Sequence, residues 1–202
     1  MNFSQLASKI VVNRVIESLI ESGIDAVFLE NGQEAKDKVL ELIPKDAEVM
    51  NMTSVTLETI GLAKELQENH KYNNVRKKLQ SMDRKTQSAQ MQKIGCAPEW
   101  VVGSVHAVTE DGKIMIASNT GSQIGPYAFG STNVIFVVGS QKIVKDEEIG
   151  LKRIYEYCLP LESERAKKAY GMETGVNKIL FINKEVVAGR IKILIVNEVL
   201  GY

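Results

Sequence analysis

The run Asn133-Val134-Ile135-Phe136-Val137-Val138-Gly139 is apolar at every position from 134 to 138 and entirely β-branched or aromatic there. A strand with one face in water would alternate polar and apolar residues, so this one must be central in a sheet and covered on both faces. The chain around it supplies the covers. Leu6, Val12, Val15, Ile16 and Leu19 recur at helical spacing, with Asn2 and Gln5 as a capping pair at the start and Gly23 at the end. An apolar run follows from Ile24 to Leu29. After the Asn31-Gly32 break, Ala35, Val39, Leu42 and Ile43 mark a second helix that stops at Pro44, and 47–51 reads as another strand. Helix and strand alternating through short connections predict a mostly parallel sheet flanked by helices.

The remaining chain adds detail to that frame. Residues 62–94 are polar and helix-prone, with Arg76, Lys77, Lys78, Arg84, Lys85 and Lys93 set among few apolar positions, and predict one or two solvated helices. Residues 100–109 read as one strand that turns through Glu110-Asp111-Gly112 into a second at 113–117, a hairpin signal that makes part of the sheet antiparallel. Asp146 can cap a helix with Leu151, Ile154, Tyr155 and Cys158 on its inner stripe, which Pro160 should end. A short helix near 162–170 and strands at 178–182 and 190–196 complete the 202 residues, few enough to expect one domain over 1–202.

Composition excludes several functions. Lys+Arg and Asp+Glu are 25 each, so no net field collects nucleic acid, and no apolar run approaches the length of a membrane span. Without a signal-like N-terminus the chain is read as cytoplasmic, where Cys96 and Cys158, too isolated for a zinc or iron–sulfur site, are expected to be free and buried. No cofactor is expected.

Three predicted strands end in small and polar residues, and in an open parallel sheet such ends line the crevice where ligands bind. The first cluster, Asn51 to Glu58, holds Thr53, Ser54 and Thr56, whose hydroxyls suit an anion as readily as they suit helix capping. The second, Ser118 to Pro126, offers Asn119, Thr120, Gly121, Ser122 and Gln123 for a carboxylate or phosphate, or as a plain turn. It matches neither the dinucleotide fingerprint nor the phosphate-binding P-loop. The third, Gly139 to Lys142, brings an ammonium that can act as counter-charge to an anion or remain in solvent. Glu58 is the only carboxylate within the clusters and so the candidate acid–base group, although a first-turn Glu also suits the helix dipole. His106, with no second ligand at metal spacing, reads as a hydrogen-bonded histidine, and Ser104 lacks a nucleophile elbow.

Several of these stretches together resemble the LUD-domain, or lactate utilization protein, family in its short single-domain form. Ser104 to Gly112 is similar to the family's S-x-N-A-I-T-E-D-G, Ser54 to Gly61 to S-x-T-L-x-x-x-G, and Phe129 to Ile135 to F-G-P-x-x-V-I. Gln141-Lys142-Ile143-Val144 resembles its N/Q-K-I-V, and Arg153 with Pro160 to Arg165 its later R…P-L…R signature. Thr53 departs from a common Gly, His106 from Asn, Ser118 from Asp, and Ser122-Gln123 from Asn-Arg. The resemblance implies a three-layer α/β/α fold like that of ribose-5-phosphate isomerases and CoA transferases, and a place in L-lactate oxidation beside iron–sulfur subunits. The expected function is binding of a small anionic metabolite linked to lactate utilization. The alternatives are a non-catalytic interaction subunit docking on an iron–sulfur redox partner and, more weakly, a sugar-phosphate isomerase-like enzyme using Glu58. A homo-oligomer is left open.

Overall fold

The computed structural model describes residues 2–202. In chain order its elements are α1 (Lys9–Glu21), β1 (Asp25–Leu29), α2 (Gly32–Leu42), β2 (Glu48–Asn51), α3 (Val55–Thr59), α4 (Leu62–Glu68), β3 (Asn73–Asn74), α5 (Val75–Gln80) and α6 (Arg84–Cys96). There follow β4 (Trp100–Gly103), β5 (Ala107–Thr109), β6 (Ile114–Ser118), β7 (Asn133–Gly139), β8 (Ile143–Val144), α7 (Glu147–Lys152), α8 (Leu159–Tyr170), β9 (Lys178–Ile182) and β10 (Ile191–Val196). Six strands form a parallel sheet in the order β1-β10-β7-β4-β2-β3. Helices cover it to give a three-layer α/β/α arrangement.

The apolar run of β7 is central, between β10 and β4, and its side chains divide by parity. Val134, Phe136 and Val138 enter a core with Val12, Val15 and Leu19 of α1, whereas Ile135 and Val137 enter the opposite core with Val39 of α2, Leu57 of α3 and Leu66 of α4. Both faces are therefore buried, which is why the run shows no alternation.

The antiparallel part is a separate four-stranded sheet, β8-β5-β6-β9, and not a margin of the parallel one. The Asp111-Gly112 turn joins β5 to β6 as expected, with Gly112 at φ 84°. The single strand expected over 100–109 is two strands in different sheets. At Gly103 any Cβ would overlap Tyr127 Oη, and from that point the chain leaves the parallel sheet through Ser104, Val105 and His106 before β5 begins.

Two helix boundaries also differ. Ser8, whose Oγ accepts from Val11 N at 3.4 Å, caps α1, while Asn2 Oδ1 closes a turn of its own on Ser4. Pro160 does not end the helix after Asp146. Residues Arg153–Cys158 form a wide π-turn in which Leu159 N–H reaches Ile154 O, and that turn admits a proline without breaking the path into α8. Cys158 is buried and free, but Cys96 is exposed, contrary to the buried thiol expected there. No helix of the described residues is long and apolar enough to cross a membrane.

Candidate functional site

β2, β4 and β7 are neighbours in the parallel sheet, so their C-terminal ends at Asn51, Gly103 and Gly139 deliver three connections to one rim. A cavity of about 740 Å³ lies there, lined also by the loop after β6, by α5 and α6, and by α8.

Lys142, ending a short 3-10 turn after β7, is 2% exposed. Its Nζ donates to Thr56 Oγ1 (3.0 Å), Ser104 Oγ (3.1 Å) and Val105 O (3.2 Å), while Thr56 Oγ1 donates to Leu200 O at 3.0 Å. All three partners are neutral oxygens. Among the described residues Lys142 pairs with no carboxylate. Burial, reinforced by the nearby Arg153 cation and weakly opposed by Cys158, pushes its pKa down to about 7.

His106 lies on the connection between β4 and β5 and lines the cavity half-buried. Its Nδ1 accepts the Ala117 N–H at 3.1 Å, which assigns the neutral ring's proton to Nε2, an atom with no hydrogen bond to protein. Burial first, then the Lys142 and Arg153 charges, push its pKa down to about 3 despite some opposition from Glu162, so the imidazole is neutral. It offers the cavity a fixed N–H donor.

Beneath these residues, Arg153 is fully buried, with Nη1 donating to His106 O (2.8 Å) and Cys158 Sγ (2.9 Å). Its guanidinium carbon lies 5.2 Å from the Tyr157 ring centre and 5.9 Å from that of Phe3, and Nε and Nη2 have no partner. On α8, Arg165 grips Glu162 with two bonds, Nε to Oε2 at 2.8 Å and Nη2 to Oε1 at 2.7 Å, and Tyr202 Oη donates to the same carboxylate. Burial raises the Glu162 pKa, but the bonds from Arg165 and Tyr202 outweigh it and hold the carboxyl below its usual range. Arg76 Nη1 donates to Thr53 Oγ1 at 2.9 Å.

Of the residues singled out from sequence, Thr53, Ser54, Thr56, Asn119, Thr120, Ser122, Gln123 and Lys142 all line this cavity. Several are already engaged: Ser54 Oγ caps α3 at Leu57 N, Gln123 Nε2 donates to Ala117 O, and Thr120 pairs with Ser122. Gly121 turns away at φ 87° towards the Lys178 side chain and is not part of the lining. Glu58 is exposed on α3 and outside the cavity. A first-turn residue on the solvent side of that helix serves its dipole, and cannot reach a ligand beside Lys142. The one carboxylate in the lining is Glu162, against the cations Arg76, Arg84, Lys142 and Arg165.

Sequence reasoning missed Glu162 and Arg165 as cavity residues and Arg153 as the buried cation beneath them, although the three fall within the Arg153 to Arg165 stretch that carries the later family signature. His106 is the hydrogen-bonded histidine expected, its Nδ1 accepting from Ala117 N, while Ser104, weighed only as a nucleophile, accepts from Lys142. Among the described residues no group of three His, Cys, Asp or Glu stands close enough to hold a metal ion.

The LUD domain family model matches residues 12–196. No curated protein matches the sequence. Among solved structures, a DUF162 family protein from Deinococcus radiodurans superimposes with a TM-score of 0.57 at 10% identity, over 96% of this chain and 100% of that one. That likeness speaks for the fold, and the sequence match, which spans nearly every element from α1 to β10, for the kinship: the chain belongs to the LUD domain family, a family associated with lactate utilization.

Proposed function

We propose that the cavity binds a small anionic metabolite, a hydroxy or keto acid in the first place, with its carboxylate beside Lys142 and within reach of the His106 Nε2 proton. One observation carries this reading: a fully buried lysine whose three partners are all neutral oxygens. A buried cation without a counter-ion costs several kcal/mol, and an anion entering the cavity offsets part of that. The anion also raises the Lys142 pKa, so binding near neutral pH takes up a proton.

The surrounding hydroxyls supply directionality. Thr56 and Ser104 fix the ammonium, and the exposed Thr53 and Thr120 stand on the cavity wall. The isomerase-like alternative finds no support in Glu58, which lies outside, and Glu162 is tied down by Arg165 and Tyr202.

A thermal-shift panel of lactate, pyruvate, coenzyme A, nucleotides and sugar phosphates tests the reading. A ligand at 100 times its Kd adds about 2.7 kcal/mol, or roughly 5–10 °C in a chain of this size. Stabilisation of the wild type by at least one anion, lost in Lys142→Met, is the expected result. No shift with any compound, or an equal shift in the variant, refutes the placement at Lys142.

A further inference from the structure

The cavity is much larger than a three-carbon acid. Lactate and pyruvate each have six non-hydrogen atoms, and even at the roughly 30 Å³ that a water molecule claims in the liquid these fill only about 180 Å³. The cavity offers about 740 Å³. What lines the rest has a particular chemistry.

Much of it comes from the helical pair α5–α6, which lends Arg76, Gln80 and Arg84 to the rim and three apolar side chains between them. Leu79 on α5, Met82 in the connection and Met91 on α6 line the cavity, joined by Met50 from β2. The 13-residue α6 buries no side chain at all and is kinked at Gln87. A helix in water is held chiefly by the apolar face it packs against something else. In this pair the half-buried Leu79, Met82 and Met91 border the cavity while Ile94 does not, so an apolar ligand surface would extend the packing of those three. Methionine, unbranched and polarisable, adapts to tails of differing shape.

Building on the reading of Lys142 as an anion anchor, we propose that the ligand is an organic acid with an extended apolar body, its carboxylate at Lys142 and its body beneath α5 and α6. Lactate itself would then occupy only the polar part of the site.

A homologous series of 2-hydroxy acids tests this, with Kd measured by calorimetry for 2-hydroxypropanoate, 2-hydroxyhexanoate and 2-hydroxyoctanoate. Each buried methylene contributes about 0.8 kcal/mol, or roughly fourfold in affinity, so the six-carbon acid should bind about fifty-fold tighter than the three-carbon one. In the double variant Leu79→Ser, Met91→Ser, at half-buried positions away from both cores, the three-carbon acid should bind as in the wild type while the gain with chain length shrinks to a few-fold. Equal affinities along the series would overturn the apolar body and leave the anion site standing. Binding of none of the acids would overturn both. A chain-length gain untouched by the double variant would overturn the placement under α5–α6.

Discussion

Replacing Lys142 by methionine keeps an unbranched side chain one atom shorter and removes its charge and three hydrogen bonds, so the pH dependence of its effect on stability isolates the electrostatics of the cavity floor. In the folded chain the pKa of this lysine is pushed down to about 7, by burial first and by Arg153 second, against an ordinary value of 10.5. The unfolded chain therefore binds a proton that the folded chain has given up throughout the interval from about pH 7 to 10.5, and stability must rise with pH across it. The sign is the reverse of an ion-paired lysine, whose stabilisation is lost on the alkaline side.

Linkage gives the size. At about pH 7 the lowered pKa disfavours the folded state by roughly 4 kcal/mol, and at about pH 9 by roughly 2 kcal/mol, so the wild type gains about 2 kcal/mol over that window. Lys142→Met lacks this term. Urea unfolding followed by the fluorescence of the single Trp100, which is 8% exposed in the native state, should show wild type minus variant rising by about 2 kcal/mol from pH 7 to pH 9. Subtraction removes the other titrating groups, since they are common to both proteins. A difference that stays flat within about 0.5 kcal/mol would mean that the lysine keeps an ordinary proton affinity, and the uncompensated buried cation would have to be abandoned.

Two further perturbations probe the same rim. His106, with its pKa pushed down from 6.5 to about 3, stays neutral while the unfolded chain protonates, so it withdraws stability as pH falls through that interval; His106→Asn should lose this component of acid sensitivity in parallel denaturation series, and an unchanged slope would count against the half-buried ring's staying neutral. Gly103→Ala sets a methyl against Tyr127 Oη, whose ring packs edge-on to Phe136 at 4.8 Å, and should cost about 1–3 kcal/mol in urea unfolding and weaken anion binding through the adjoining Ser104; full stability and unchanged affinity would show that the rim is not held by this contact.

The architecture was legible wherever local pattern and tertiary environment agree. The β7 run could be placed in the centre because five consecutive apolar β-formers admit no exposed face, and the Asp111-Gly112 hairpin because its turn chemistry is local. Failures came where a distant contact overrides the pattern. Nothing near residue 103 in sequence announces that Tyr127 occupies the space of its missing Cβ, so one apparent strand is two in different sheets. Pro160 punctuates a helix in any local reading, but a π-turn one residue earlier shifts the hydrogen bonds and leaves the proline harmless.

The site divides along the same line. Polar loops after strands are a local signal, and in a parallel sheet adjacent strands carry such loops to a common rim whatever their separation in sequence, which is how residues of the Thr53 and Lys142 clusters come to line one cavity. The charge balance of that cavity is a long-range property. Whether a lysine is solvated, ion-paired or sealed in among neutral oxygens depends on what reaches it, and the two hydroxyls at Lys142 come from Thr56 and Ser104, 86 and 38 positions away. The same holds for Glu58 and Glu162: one is exposed on the outside of α3, the other is drawn in by Arg165 and Tyr202. A sequence can therefore nominate the wall of such a site before it can state which charges meet there, here Lys142 sealed among neutral oxygens and Glu162 held by Arg165.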